Sequence, residues 1–182
     1  MKISKVDNSD LLIFSPDTFE DQRGYFFESF NQKKYENLSK EKFVFVQDNE
    51  SKSIKGTLRG FHYQLGPFTQ SKLVRVIDGE VLDVVVDIRK TSKNFGKHWS
   101  FKISSENKKQ LFIPQGYAHA FLTLSDTSIF SYKVDNYFSP DHDRTIIWND
   151  KFLQIDWKFN ESDLIISEKD EKGKKFSEAE YL

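Results

Sequence analysis

The chain has no cysteine among its 182 residues, which excludes disulfides and thiolate chemistry and permits a reducing cytoplasm without requiring one. It has almost no net charge. The 27 basic and 28 acidic residues sum to −1, so no global field draws the chain to nucleic acid or to an anionic membrane. No apolar run approaches a membrane span, and the opening Met1–Asp7 holds none long enough for a signal peptide. The expectation is a soluble, cytoplasmic protein. Histidine is scarce, at four, and only five of the 27 basic residues are arginine, at 23, 59, 75, 89 and 144. In so lysine-biased a chain an arginine invites a role that needs its planar fork, such as gripping a phosphate or carboxylate. For Arg75, Arg89 and Arg144 surface ion pairs are an equally ready reading.

What is abundant is aromatic: 18 Phe, 7 Tyr and 3 Trp make up 15% of the chain, favouring broad sheet faces over a helical bundle. The length suits one domain with a sizeable core, and no repeat, linker or low-complexity segment divides residues 1–182. Leu11–Phe14 reads as a first strand, Asp21-Gln22-Arg23-Gly24 as a turn, and Tyr25–Phe30 as an aromatic strand carrying Glu28. Asn31 caps a short helix through about Ser39, with Tyr35 and Leu38 on its inner face. Phe43–Gln47 returns to strand, and Asp48–Ser51 is polar and turn-like.

From Leu58 onward the pattern is almost entirely β. Lys72–Ile77 and Glu80–Arg89 flank Asp78-Gly79, a strong hairpin signal. Leu82, Val84, Val86 and Ile88 share one face of the second segment; Asp83, Asp87 and Arg89 share the other with Val81 and Val85. Short strands continue through Trp99–Ile103, Leu111–Ile113, Ala120–Leu124 and Ser128–Val134. Such even spacing argues for a β-sandwich or jelly-roll barrel. Trp148 and Trp157 anchor the last stretch, and the charged run Glu168–Glu180 has room for a short helix whose Lys169 and Asp170 follow an apolar Leu164-Ile165-Ile166.

The chemistry concentrates in Leu58-Arg59-Gly60-Phe61-His62-Tyr63-Gln64. If Gly60–Gln64 is regularly extended, Gly60, His62 and Gln64 share a face, and Gly60 leaves room there for a ligand or another backbone. Taken alone, His62 is as readily a satisfied core histidine. Likewise Tyr132 alone reads as a half-buried strand aromatic, Lys72 as a strand-edge charge, Glu28 as solvent-facing and Asp170 as part of the charged tail.

Eight segments in order resemble the dTDP-4-dehydrorhamnose 3,5-epimerase family. They are Phe19–Glu28, Gln47-Asp48-Asn49, Leu58–Gln64, Lys72-Leu73-Val74, Asp83–Arg89, Ile113–His119, Trp148-Asn149-Asp150 and Ser167–Asp170. The resemblance implies a mainly β, cupin-like jelly-roll with a few short helices near the N-terminal third and the C-terminus. It implies a cofactor-independent epimerase that inverts C3 and C5, or C3 only, of a nucleotide-linked 4-keto-6-deoxy sugar through an enolate, in the biosynthesis of a surface-polysaccharide sugar. On this reading His62 is the base, Asp170 its orienting carboxylate, Lys72 the enolate stabiliser and Tyr132 the acid that returns a proton from the opposite face. Arg23, Arg59, Gln47 and Asn49 match diphosphate-contacting positions. Glu28, His119, Asp143 and Lys169 match further substrate contacts, and Phe26 and Tyr137 are placed to stack on the base. The resemblance also implies a homodimer in which the N-terminal part of one subunit completes its neighbour's site.

Glu50, Ala120 and Asp143 depart from the family's usual histidine, glycine and glutamate. They leave the proposed base, acid and stabiliser in place, and leave open the nucleotide, hexose or heptose, and one inverted carbon or two. Pro114-x-Gly116-x-x-His119 resembles a cupin metal motif, but His62-Tyr63-Gln64 lacks the usual ligand pair, so no metal is expected. A 4-keto-sugar isomerase and a catalytically silent sugar-nucleotide binding module remain as alternatives.

Overall fold

A computed structural model describes residues 1–40 and 42–182. Two walls of strands face each other. One sheet runs β1 (Lys2–Lys5), β2 (Leu12–Ser15), β10 (Gln110–Ile113), β7 (Lys72–Asp78), β12 (Thr127–Val134), β5 (Gln47–Ile54). The other runs β13 (Asp143–Thr145), β6 (Thr57–Gln64), β11 (Tyr117–Thr123), β8 (Glu80–Asp87), β9 (His98–Ser104), with β14 (Ile165–Ile166) parallel to β6. This is the expected jelly-roll architecture.

Three apolar clusters fill the layers. Between the sheets lie Leu11, Val74, Val76, Val81, Val85, Ile103, Leu111, Phe121 and Phe130. On the outer face of the second sheet, Leu58, Phe61, Val84, Val86 and Ile88 meet Trp148, Leu153, Trp157 and Phe176 from the C-terminal stretch. Trp157 is anchored by its indole N–H, which donates to the Trp148 carbonyl at 3.0 Å. On the outer face of the first, Leu12, Phe14, Leu73 and Phe112 are covered by Tyr35 and Phe43. Each such buried side chain contributes about 1.5–3 kcal/mol. The alternation read along β8 is therefore correct, and both its faces are buried because each has its own cover.

The helix α1 (Gln32–Ser39) begins where expected: the Asn31 side chain accepts from the Lys34 amide, and Tyr35 is fully buried. Elsewhere the expected elements shift. Asp78-Gly79 does not close a hairpin, because β7 and β8 belong to different sheets and Gly79 turns the chain from one to the other with φ +82°. Asp48–Ser51 is not a turn but part of β5, paired along its length with β12. Its polarity is that of an edge strand with exposed Asp48 and Glu50, whose Asn49 and Ser51 also line a polar cavity. Residues 43–46 carry no strand; Phe43 and Phe45 are used as rings against Phe112 and Phe30 instead.

The aromatic strand expected over Tyr25–Phe30 is also shorter. β3 (Phe19–Asp21) and β4 (Gly24–Phe26) form a separate two-stranded hairpin, outside both sheets, with Phe19, Tyr25 and Phe26 exposed. Lys108 sits 3.7 Å from the Tyr25 ring centroid, and Ser29 beyond the hairpin is held by Gln110, whose amide donates to its carbonyl. Among the described residues no helix is long and apolar enough to cross a membrane.

Candidate active site

A cavity of about 500 Å³ opens between the sheets, above the Phe121–Phe130 ring pair, whose centroids are 4.1 Å apart. That pair separates the apolar interior from a polar chamber lined by His62, Arg59, Lys72, His119, Tyr132, Asn49, Asp143 and Lys169.

Arg59 and His62 enter the chamber together because β6 is irregular. His119 pairs with His62 and Phe121 with Arg59, so three steps on β6 oppose two on β11. The bulge changes the alternation: Leu58, Phe61 and Tyr63 pack into the outer cluster, while Arg59, His62 and Gln64 line the cavity. Regular extension, which puts Gly60 on the face of His62, does not hold. The room at Gly60 is taken by a neighbouring backbone. A Cβ there would lie 2.5 Å from the His119 carbonyl oxygen and 2.6 Å from the Ala120 Cβ, at φ +118°.

His62 Nε2 lies 2.5 Å from Asp170 Oδ1. Asp170 is buried on α2 (Glu168–Glu171), a helix capped by Ser167, and its other oxygen accepts from the Gly60 amide at 3.4 Å. Burial alone would raise this carboxyl; the hydrogen bond and charge of His62, with the Gly60 amide and Ser167, outweigh it and hold it below the usual carboxylate range. The pair fixes the imidazole and leaves its other ring nitrogen for a substrate.

Lys72 is buried on β7, and its ammonium donates to the His62 carbonyl at 3.3 Å. Desolvation pulls it down to about 8, against the opposing pull of Asp143 and Asp83. Tyr132, on β12 of the same sheet, is pushed up by burial and by Asp143, with Arg59 acting the other way. His62 and Tyr132 thus come from opposite sheets across one cavity. His119 Nε2 meets Asp83 Oδ2 at 2.8 Å, and desolvation lowers this histidine although Asp83 opposes it.

Lys169 of α2 pairs with Asp143 at the cavity mouth, and Arg59 is steadied by a 3.1 Å bond from its Nε to Ser53. Gln47 stands just behind the lining: its amide donates to Asn49, and its oxygen accepts from the Phe138 amide. Tyr137 is at the rim, 63% exposed. Three expected residues are not brought in. Arg23, 84% exposed and paired with Asp21, and Phe26 project on the hairpin, while Glu28 bonds Asn31 and Lys34. Arg89 and Arg144 form ion pairs with Asp87 and Glu180, which takes the ion-pair reading of the two left open for them.

Sequence reasoning did not single out Asp83, although the signal was present as a carboxylate on the β8 face shared with Val81 and Val85. Gln64, read on the face of His62 but given no role, also lines the cavity, as does Phe138, which sequence reasoning did not single out.

The family model for dTDP-4-dehydrorhamnose 3,5-epimerase matches residues 5–178. The chain belongs to that family. A dTDP-4-dehydrorhamnose 3,5-epimerase of Shigella flexneri is 51% identical over 182 residues, spanning 100% of this chain and 99% of the relative. The crystal structure of the Elizabethkingia anophelis epimerase superposes with a TM-score of 0.93 at 46% identity, covering 100% of this chain and 99% of that one. The Legionella pneumophila epimerase, solved in complex with dTDP-4-keto-L-rhamnose, gives 0.94 at 43%, covering 98% and 94%. The protein is an isomerase-class enzyme, an epimerase of nucleotide-linked sugars, and the chamber that holds the His62–Asp170 pair is its candidate active site.

Proposed function

We propose that this epimerase acts in the cytoplasm, without a cofactor, on a dTDP-linked 4-keto-6-deoxy hexose, inverting C3 and C5. The reading is supported by the Legionella relative's bound dTDP-4-keto-L-rhamnose. The observation that carries the mechanism is a carboxylate-held histidine and a half-buried tyrosine on opposite walls of one cavity, with a buried lysine beside them.

The carbons flanking a C4 ketone are acidic because the carbanion delocalises onto the carbonyl oxygen. His62 takes the proton from one face, and Asp170 stabilises the imidazolium that results. The negative charge gathers on the former carbonyl oxygen, where the Lys72 ammonium meets it in a site of low dielectric. Tyr132, kept protonated by burial, gives a proton from the other wall, and the configuration inverts. Both groups reset by exchange with water. Arg59 and Asn49 take the diphosphate, while His119, Asp143 and Lys169 hold the sugar.

Arg23, Phe26 and Glu28 fit this scheme in a homodimer, where the hairpin of one subunit reaches the cavity of its neighbour. Support comes from the hairpin itself, whose aromatic side chains lie exposed and whose strands belong to neither sheet.

Proton NMR in D₂O with dTDP- and GDP-linked 4-keto-6-deoxy hexoses and heptoses tests the assignment. Exchange at C3 and C5 of the dTDP hexose is expected. Exchange at C3 alone would make the protein a 3-epimerase, and tight binding without exchange would make it a silent binding module.

A further inference from the structure

Gln64 closes β6 two residues beyond His62 and is buried at the edge of the cavity. Its side chain holds three backbone groups from two loops. Nε2 donates to the Phe68 carbonyl at 2.8 Å and to the Tyr137 carbonyl at 3.3 Å, while Oε1 accepts from the Ser139 amide at 2.6 Å. One loop follows β6 and the other follows β12, so a single amide joins a segment from each sheet at the rim. Gln70 and Asn136 stitch the same loops together further out, through bonds to the Asn136 and Pro67 carbonyls.

The segment so fixed carries Tyr137 and Phe138, 63% and 52% exposed, and Phe138 lines the cavity. Exposed rings held on an ordered backbone suit a flat, apolar ligand face, because the ordering cost is met before the ligand arrives. None of the three groups bonded to Gln64 belongs to the His62–Asp170 pair.

We propose that Gln64 is a positioning residue for nucleotide binding: it sets Tyr137 and Phe138 to receive the nucleoside end of the substrate and takes no part in proton transfer. This rests on the nucleotide-sugar reading above. A substitution that keeps the length but removes the hydrogen bonds frees three backbone groups and loosens the rim, with the catalytic pair untouched.

The test is calorimetric titration of dTDP into wild type and Gln64→Met, with steady-state kinetics on the dTDP-4-keto sugar. The Kd for dTDP and the KM should both rise about tenfold or more, with kcat within about threefold of wild type. An unchanged Kd, whatever happens to the thermal midpoint, would overturn the proposal by leaving Gln64 a purely structural residue. A fall in kcat at unchanged KM would overturn it too. Should Gln64→Met fail to fold, Phe138→Ala alters only an exposed rim side chain; it must weaken dTDP binding, and an unchanged Kd there is equally decisive. A wild type that binds dTDP but exchanges no sugar proton would sink the epimerase reading and leave the Kd comparison intact.

Discussion

His62 and Asp170 are 108 positions apart in the chain and 2.5 Å apart in the fold. Their meeting depends on α2 presenting Asp170 inward beside Gly60, whose amide also bonds the carboxylate. Replacing His62 by Asn should lower kcat by about 10²- to 10⁴-fold while leaving dTDP binding nearly intact. Asp170→Asn should cost a similar order, because it keeps the shape of the contact but removes the charge that stabilises the imidazolium. Rapid-quench kinetics alongside calorimetry would check the split between turnover and binding.

Gly60→Ala should be far worse for the fold than a typical glycine substitution. The added methyl meets the His119 carbonyl and the Ala120 side chain at a positive φ, and the bulge that aims Arg59 and His62 must shift. A loss of more than about 2 kcal/mol in chemical denaturation is expected, together with lost activity. Wild-type stability in Gly60→Ala would mean that β6 does not need this close approach.

Lys72 should give opposite pH signatures in activity and stability. Its ammonium is lost as pH rises through about 8, so turnover should fall on that limb. Because the unfolded chain still binds this proton up to the ordinary lysine range, the unfolded state holds more protons between about 8 and 10.5, and the stability contribution rises with pH there. Lys72→Met should abolish both slopes. Denaturation curves across that window in wild type and variant would measure the second directly.

If the hairpin acts on the neighbouring subunit, mixing two inactive variants should restore activity. In a dimer of Arg23→Ala with His62→Asn, one site draws an intact histidine from one subunit and an intact arginine from the other. Random reassociation predicts about one quarter of wild-type activity. No recovery above the two parents would place the hairpin on its own subunit.

Much of this arrangement was legible in the residues. Alternation along β8 and the cap at Asn31 rest on local chemistry and were read correctly. Asp78-Gly79 also marked a real turn, but local signals do not say which strands pair, and here the flanking strands pair elsewhere. β5 escaped notice because an edge strand beside a polar chamber has no apolar period to detect. The shared face of Arg59 and His62 was hidden for a related reason: a bulge resets the two-residue period, and its position follows from the approach of β11 rather than from β6 itself. Family resemblance pointed to His62, Asp170, Lys72 and Tyr132. Asp83, a buried carboxylate between Val81 and Val85 on one face of β8, needed only the question of which buried group would pair with it.

In the proposed mechanism His62 removes the proton and Tyr132 returns one from the opposite wall. The measurement is a time course in D₂O on the dTDP-4-keto sugar, following deuterium at C3 and the configuration of the product, for His62→Asn and Tyr132→Phe side by side. His62→Asn should stop deuterium entry, while Tyr132→Phe should still admit it at C3 but yield little inverted product. Equal loss of deuterium entry in both variants would contradict the assignment of the two residues to separate faces.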